Sequence, residues 1–193
     1  MKVHKTAIIE EGANIGEGTN IWHFSHIRSG SIIGNNCNIG KDVYIDTGVK
    51  IGNNVKIQNG VSLYDGIEID DDVFIGPHSV FTNDLKPRAF SKDWQITKTI
   101  LRKGCSIGAN ATIICGNVIG VYSMVAAGAV VTQDVAPFSL VMGNPARIIG
   151  MVCKKGHRMK QVNKIDEKVK FVCESCKEKI SLSLDVVSNF DLD

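Results

Sequence analysis

A chain of 193 residues is long enough for one full domain and a small appendage. Its formal net charge of +2, with no basic stripe, excludes an electrostatic nucleic-acid binder. The longest apolar run, Val121 to Val131, contains Ser123 and small alanines and is too short to span a bilayer, which excludes membrane insertion. The opening residues Met1-Lys2-Val3-His4-Lys5 lack the apolar stretch of a secretory signal. A cytoplasmic setting is therefore expected, with the six cysteines as reduced thiols or metal ligands rather than disulfides.

From the start of the chain an aliphatic or aromatic residue recurs every six positions. The beat runs Val3, Ile9, Ile15, Ile21, Ile27, Ile33, Ile39, Ile45, Ile51, Ile57, Leu63, Ile69, Ile75 and Phe81, then resumes at Leu101, Ile107, Ile113, Ile119, Val125 and Val131. Six matches neither the period of a helix nor that of a strand. It is the period of a hexapeptide β-helix, in which each six residues make one short strand and one corner. Two positions before each beat lie small or β-branched residues such as Ala13, Thr19, Ser25, Val43, Val49 and Val55, which suit closely stacked strands. Glycine often follows the beat, as at Gly34 and Gly40, and the pairs Asn35-Asn36 and Asn53-Asn54 suit corners that need positive φ. Three strands close a triangular coil of about eighteen residues, giving about six or seven coils.

The rhythm breaks once. Residues 82–100, TNDLKPRAFSKDWQITKTI, hold no hexad, and a solenoid accommodates such a segment only as an outward loop. Long ordered loops on rigid scaffolds usually carry function. After Val131 the pattern ends in Pro137 and the run GNPARIIG, and from Met151 onward Gly156 is the sole glycine and lysine dominates. Two units are expected: a body over 1–150 and a tail over 151–193. In the tail, Cys153-x3-His157 and Cys173-x2-Cys176 have the spacing of a tetrahedral zinc site. A metal would offset the small apolar content of the tail. With all four ligands from protein, such a zinc is structural.

The hexad, its single excursion and the closing GNPARIIG resemble the left-handed β-helix acyltransferases, the hexapeptide transferase family. The left hand comes from that resemblance alone. The resemblance implies an all-β, left-handed parallel β-helix of hexapeptide repeats, with a projecting loop at about 82–100 and a small zinc-knuckle-like tail. Within the family, IWHFSHI (21–27), KIQNGVSLYDG (56–66), GPHSVFTND (76–84) and Pro87-Arg88-Ala89 are most similar to the nucleotide-sugar N-acetyltransferases. Closest in pattern are those acting on the 3-amino group of UDP-2-acetamido-3-amino-2,3-dideoxyglucuronate. This implies a homotrimer with active sites between subunits, acetyl-CoA as co-substrate, and a role in surface polysaccharide (lipopolysaccharide) biosynthesis.

Acetyl transfer to an amine needs a neutral nucleophile, a donor for the developing oxyanion, and close alignment of amine and thioester. Asn83, where the chain leaves the repeat, is the first catalytic candidate. The corner residue His78 is the candidate base. His23 and His26 in WHFSHI, with Gln58, Asn59 and Tyr64, are candidate sugar or nucleotide contacts. Asp84 can orient the acceptor, and the planar fork of Arg88 suits a sugar carboxylate or a diphosphate. For coenzyme A the resemblance points to the last coils, where Ala126 and Gly128 leave room for pantetheine and Lys103 and Arg147 can hold phosphates. Each of these residues also has an ordinary reading as a corner, packing or surface side chain. Rival functions are O-acetylation, N-acetylation of a dTDP- or UDP-4-amino sugar, a carbonic-anhydrase-like zinc site, and a non-enzymatic scaffold. The carbonic-anhydrase reading needs three converging histidines, which His4, His23, His26 and His78 do not supply in one coil register.

Overall fold

The computed structural model describes residues 2–165 and 167–184, so the end of the tail, 185–193, lies outside the described residues. Each hexad forms a strand of two or three residues ending on its beat residue, followed by a corner. Strands one coil apart pair in parallel, as in Lys56↔Asn38 and Ile57↔Ile39, so three faces run along the molecule. The first face starts at Lys2–Val3 and ends with Met124–Val125 and Ser139–Gly143. The second face lies in two sections, four strands up to Ser62–Leu63 and three from Val80–Phe81 onward. The third face is a ladder of six strands from Asn14–Ile15 to Val118–Ile119. Seven coils result, and an eighth begins at Ser139 before the chain turns back antiparallel along Ala146–Met151.

The beat is an interior position because strand alternation turns it inward while its neighbour faces out. Ile27, Ile45, Leu63, Ile113 and Ile119 are fully buried, and Phe81 is 2% exposed. Burial of each such side chain is worth roughly 1.5–3 kcal/mol. The small residues two positions earlier also face inward, and their hydroxyls, Thr99 apart, bond within the coils. Ser25 Oγ donates to Gly40 O at 2.7 Å, and Thr19 Oγ1 donates to Gly34 O at 2.8 Å. Burial pushes the Cys105 thiol up to about 12, with Asp70 adding to the effect, so this interior cysteine is an inert space-filler.

The excursion is slightly shorter than expected. Its return strand starts at Thr99, and Leu101 pairs with Ile69, so residues 82–98 are the insertion. The Thr97 N–H donates to Asn83 O at 2.9 Å and ties its base.

The tail is built differently. Lys160–Ile165, Lys168–Val172 and Lys179–Ser183 form an antiparallel sheet, which the sequence reading did not anticipate. Val169 and Phe171 lie under it, in a core with Met151, Cys153, Met159 and Cys173 against which Phe138 packs. Among the described residues no helix is long and apolar enough to cross a membrane.

Candidate functional site

The three corners of each coil sort the candidate residues. At the first corner, between first and second faces, stand His23 in the second coil, Gln58 and Asn59 in the fourth, His78 in the fifth, and Ala126 and Gly128 in the seventh. Successive coils are about 4.8 Å apart, so His23 and His78 share this edge but are separated by three coil spacings. His23 stacks on His4 at 3.5 Å between centroids, and burial holds the His4 pKa below its ordinary value, with the neighbouring His23 adding to the effect. Asn59 Oδ1 accepts the Lys41 N–H at 2.9 Å, which makes it at least partly a corner brace.

His78 is exposed and holds the left-handed backbone that recurs at this position of the corner, φ 57 beside 58 at Phe24, 55 at Asp42 and 56 at Asn110. Its ring lies over Gly60, where a Cβ would come within 2.4 Å of His78 Nδ1. The glycine at φ +70 is therefore both a turn residue and the notch that receives the imidazole. Two coils further on, a Cβ at Gly128 would meet nothing within 4 Å, so this stretch of the corner is open. The N–H groups of Ala126 and Gly128 donate to Val141 O and Ala109 O at 2.9 and 2.8 Å. Their amides are taken, so their contribution to a pantetheine arm is space rather than donors.

The second corner carries Tyr64, Asn83 and the loop that bears Asp84 and Arg88. Tyr64 thus separates from Gln58 and Asn59, with which the sequence reading grouped it, because Ser62–Leu63 intervenes as a strand. Asn83 Nδ2 donates to Asp65 O at 3.5 Å, one coil below. Asp84 Oδ1 accepts the Lys86 N–H at 2.7 Å, and Arg88 Nη1 donates to its neighbour Pro87 O at 2.8 Å. The loop exposes Leu85, Phe90 (84% exposed), Trp94 and Ile96. His78 and Asn83 stand on adjacent corners with the Val80–Phe81 strand between them.

Below Tyr64 the same corner holds a network that sequence reading missed apart from His26. Glu10 Oε1 lies 2.8 Å from His26 Nε2 and 3.0 Å from Arg28 Nε. Arg28 Nη1 also donates to Tyr44 OH at 3.2 Å and Asp46 Oδ1 at 3.3 Å. The Ser29 N–H, followed by His26 and Arg28, holds the Glu10 carboxyl down at about 2. Hydrogen bonding to Tyr44 and Glu10 raises the Arg28 pKa further. The signal was available: Glu10, Arg28, Asp46 and Tyr64 are spaced by one coil, with signs alternating among the first three.

The coenzyme candidates divide. Lys103 sits at the third corner, 3.5 Å from Asp72 Oδ2, and does not join Arg147. Arg147 lines a cavity of about 900 Å³ at the far end of the β-helix. Its basic companion there is Arg102, one residue before the expected lysine, and Asn117, Asp134 and Ala146 also line the cavity. In the tail, all four expected ligands come together, with their ligand atoms within 4.8 Å of one another. The Cys176 N–H donates to Cys173 Sγ at 3.4 Å, and this bond leads in lowering the Cys173 thiol to about 6.

Two sequence patterns match the body: "Hexapeptide repeat of succinyl-transferase" over residues 31–65 and 100–133, and "Bacterial transferase hexapeptide (six repeats)" over residues 3–47. Together they take in just over half the chain. A dTDP-3-amino-3,6-dideoxy-alpha-D-galactopyranose 3-N-acetyltransferase of Aneurinibacillus thermoaerophilus is 52% identical over 66 residues, 34% of this chain and 34% of that protein. The matched stretch thus spans about a third of that relative's length. Among solved structures, WeeI from Acinetobacter baumannii AYE aligns with a TM-score of 0.51 at 26% identity, over 75% of this chain and 56% of that one. The acetyltransferase domain of PglB from Neisseria gonorrhoeae FA1090, in complex with acetyl coenzyme A, shares the fold at a TM-score of 0.50 and 19% identity, over 76% and 56%. By its six-residue repeat, its three-faced parallel β-helix and these matches, the chain belongs to the hexapeptide-repeat transferases.

Proposed function

We propose that this protein is an acetyl-CoA-dependent N-acetyltransferase acting on the amino group of a nucleotide-linked amino sugar. The acceptor is a 3-amino sugar of the UDP-3-amino-glucuronate type, used in surface polysaccharide synthesis in the cytoplasm. The observation that carries this reading is the first corner, where an exposed His78 stands below an open stretch at Ala126 and Gly128 and above Gln58 and Asn59. Pantetheine lying along the upper corner delivers its thioester toward His78, and the acceptor approaches from below. The amine nitrogen attacks the thioester carbonyl carbon, a C–N bond forms, the C–S bond breaks, and CoA leaves as its thiol. His78 takes the proton released by the nitrogen and passes it to the departing sulfur, and the Asn83 amide donates to the developing oxyanion.

Because Asn83 and His78 occupy adjacent corners of one chain, the reading requires a homotrimer in which the first corner of one copy faces the second corner of the next. The exposed Phe90 and Trp94 fit such a contact, since apolar loop side chains gain burial against a neighbour. Arg102 and Arg147 in the terminal cavity supply the cationic charge for CoA phosphates. His23, His26, Tyr64, Asp84 and Arg88 remain the proposed contacts to the nucleotide sugar, with Arg88 for the carboxylate or diphosphate. The 52% match to an enzyme named for a dTDP-linked 3-amino sugar favours a 3-amino acceptor and keeps dTDP-sugars as the alternative. Incubation with acetyl-CoA and a panel of UDP- and dTDP-linked amino sugars, followed by thiol release, tests the reading. Turnover with a UDP-3-amino uronate is expected; turnover with sugar alcohols and none with any amine would overturn it.

A further inference from the structure

The acetyl-transfer reading makes no use of the four ligand-type side chains in the tail. They sit on two similar turns. In the first, Cys153 N–H donates to His157 O at 3.0 Å and Gly156 N–H to Cys153 O at 2.8 Å. In the second, Cys173 N–H donates to Glu178 O and Lys177 N–H to Cys173 O, both at 2.9 Å. Each turn reverses through a left-handed residue, Gly156 at φ 79 and Lys177 at φ 63. The Sγ atoms of Cys153 and Cys173 lie 3.6 and 3.7 Å from His157 Nδ1. Zinc bonds of about 2.3 Å to sulfur and 2.0 Å to nitrogen, opened at the tetrahedral angle, put ligand atoms roughly 3.5–3.8 Å apart. These two spacings fall in that range, and all four ligand atoms lie within 4.8 Å of one another. Cys153 and Cys173 are buried, and three thiols with one imidazole form a soft set suited to zinc rather than to magnesium or calcium.

The position of the turns adds a role. Cys153 stands two residues past the end of the closing strand Ala146–Met151. Lys154 Nζ lies 5.3 Å over the Tyr122 ring, and a Cβ on Gly156 would stand 3.1 Å from Met124 Cε. Tyr122 and Met124 belong to the seventh coil, so the first turn rests on the last full coil. A solenoid needs a distinct terminal unit to cover its end. The small core of this module, two methionines, Val169, Phe171 and two of the cysteines themselves, leaves cohesion to be supplied from elsewhere.

We propose that Cys153, His157, Cys173 and Cys176 bind one zinc ion per chain, and that this ion locks the three-stranded module as the cap on the C-terminal end of the β-helix. Four protein ligands close the coordination sphere, so the ion is structural and takes no part in acetyl transfer. The test uses the full chain. Metal analysis of purified protein is expected to give about one zinc per chain. Replacement by cobalt after chelation should produce the visible ligand-field bands and thiolate charge-transfer absorption of a tetrahedral site. Cys173→Ser should abolish both signals, whereas Cys115→Ala, a buried cysteine of the β-helix outside the cluster, should keep them. Hydrogen exchange on chelated wild type should show lost protection in Lys168–Val172 and retained protection in the coils. Purified protein free of divalent metal that develops no cobalt spectrum would overturn the proposal. A cobalt spectrum that survives Cys173→Ser, or module protection unchanged by chelation, would do the same. None of these readouts depends on acetyl transfer.

Discussion

Coils one to seven and the module that follows them stabilise short strands by different means. In the coils, one hexad contributes a single beat side chain, and stacking turns these into continuous interior rows in which Ile27, Ile45, Leu63 and Ile113 are fully buried. Each coil is held by its neighbours, as in other repeat arrays. The module has no repeat. Its sheet of three strands covers a small core, and two of that core's members, Cys153 and Cys173, are also ligand candidates. Cohesion by repetition needs only pattern, whereas cohesion by a few side chains needs a cross-link.

Metal removal should separate the two regions most strongly. Binding energies for structural zinc are on the order of 10–16 kcal/mol, so chelation should unfold the module while leaving the β-helix circular dichroism nearly unchanged. A single cooperative loss of both would break the comparison. The reverse experiment is Phe81→Ala, which removes a ring that is 2% exposed at the base of the excursion. It should cost about 3–5 kcal/mol in denaturant unfolding of the body and leave the cobalt spectrum of the module intact. Within the body, His78→Asn should relieve left-handed strain, since asparagine tolerates that region, and raise stability by up to about 1 kcal/mol while activity falls. A stability loss together with full activity would show that His78 is only a corner residue.

Within the β-helix, acid should act on the first coils. The folded carboxyl of Glu10 is held at about 2, below its ordinary 4.5. A depressed carboxylate contributes stability that is complete above its unfolded pKa and lost as pH falls toward the folded value. The midpoint of denaturant unfolding should therefore decline between about pH 4.5 and 2, and Glu10→Gln should flatten that part of the curve. An unchanged slope would show that the Glu10–His26–Arg28 contacts are too screened to matter. Smallest of all, Thr99→Val removes a buried hydroxyl that lacks a hydrogen-bond partner. It should be neutral or stabilising by under about 1 kcal/mol, read as a thermal shift.

The repeat was legible because its signal is local: a hydrophobic residue at every sixth position declares an inward strand end without knowledge of the rest. Corner assignment is less forgiving, since one residue changes the direction a side chain takes. Tyr64 and Asn59 lie five positions apart yet stand on different corners, and Arg102 lines the terminal cavity while Lys103 pairs with Asp72. The network of Glu10, Arg28 and Asp46 followed from coil arithmetic at eighteen positions but carries no motif. In the tail the cysteine spacing was readable, while the strands were hidden by lysines. The alternation Lys168-Val169-Lys170-Phe171, with Val169 and Phe171 buried, is a period-two strand signal that the reading passed over.

The central claim is acetyl transfer at a site shared between the first corner of one copy and the second corner of the next. It is tested most directly by mixing two inactive variants. His78→Gln and Asn83→Ala should each lower kcat by roughly 10²-fold or more with little change in KM. Refolded together at equal ratio, they should recover about a quarter of wild-type activity, because random trimers place an intact His78 opposite an intact Asn83 at one interface in four. No recovery above the separate variants, in trimers shown to have mixed, would contradict the shared site.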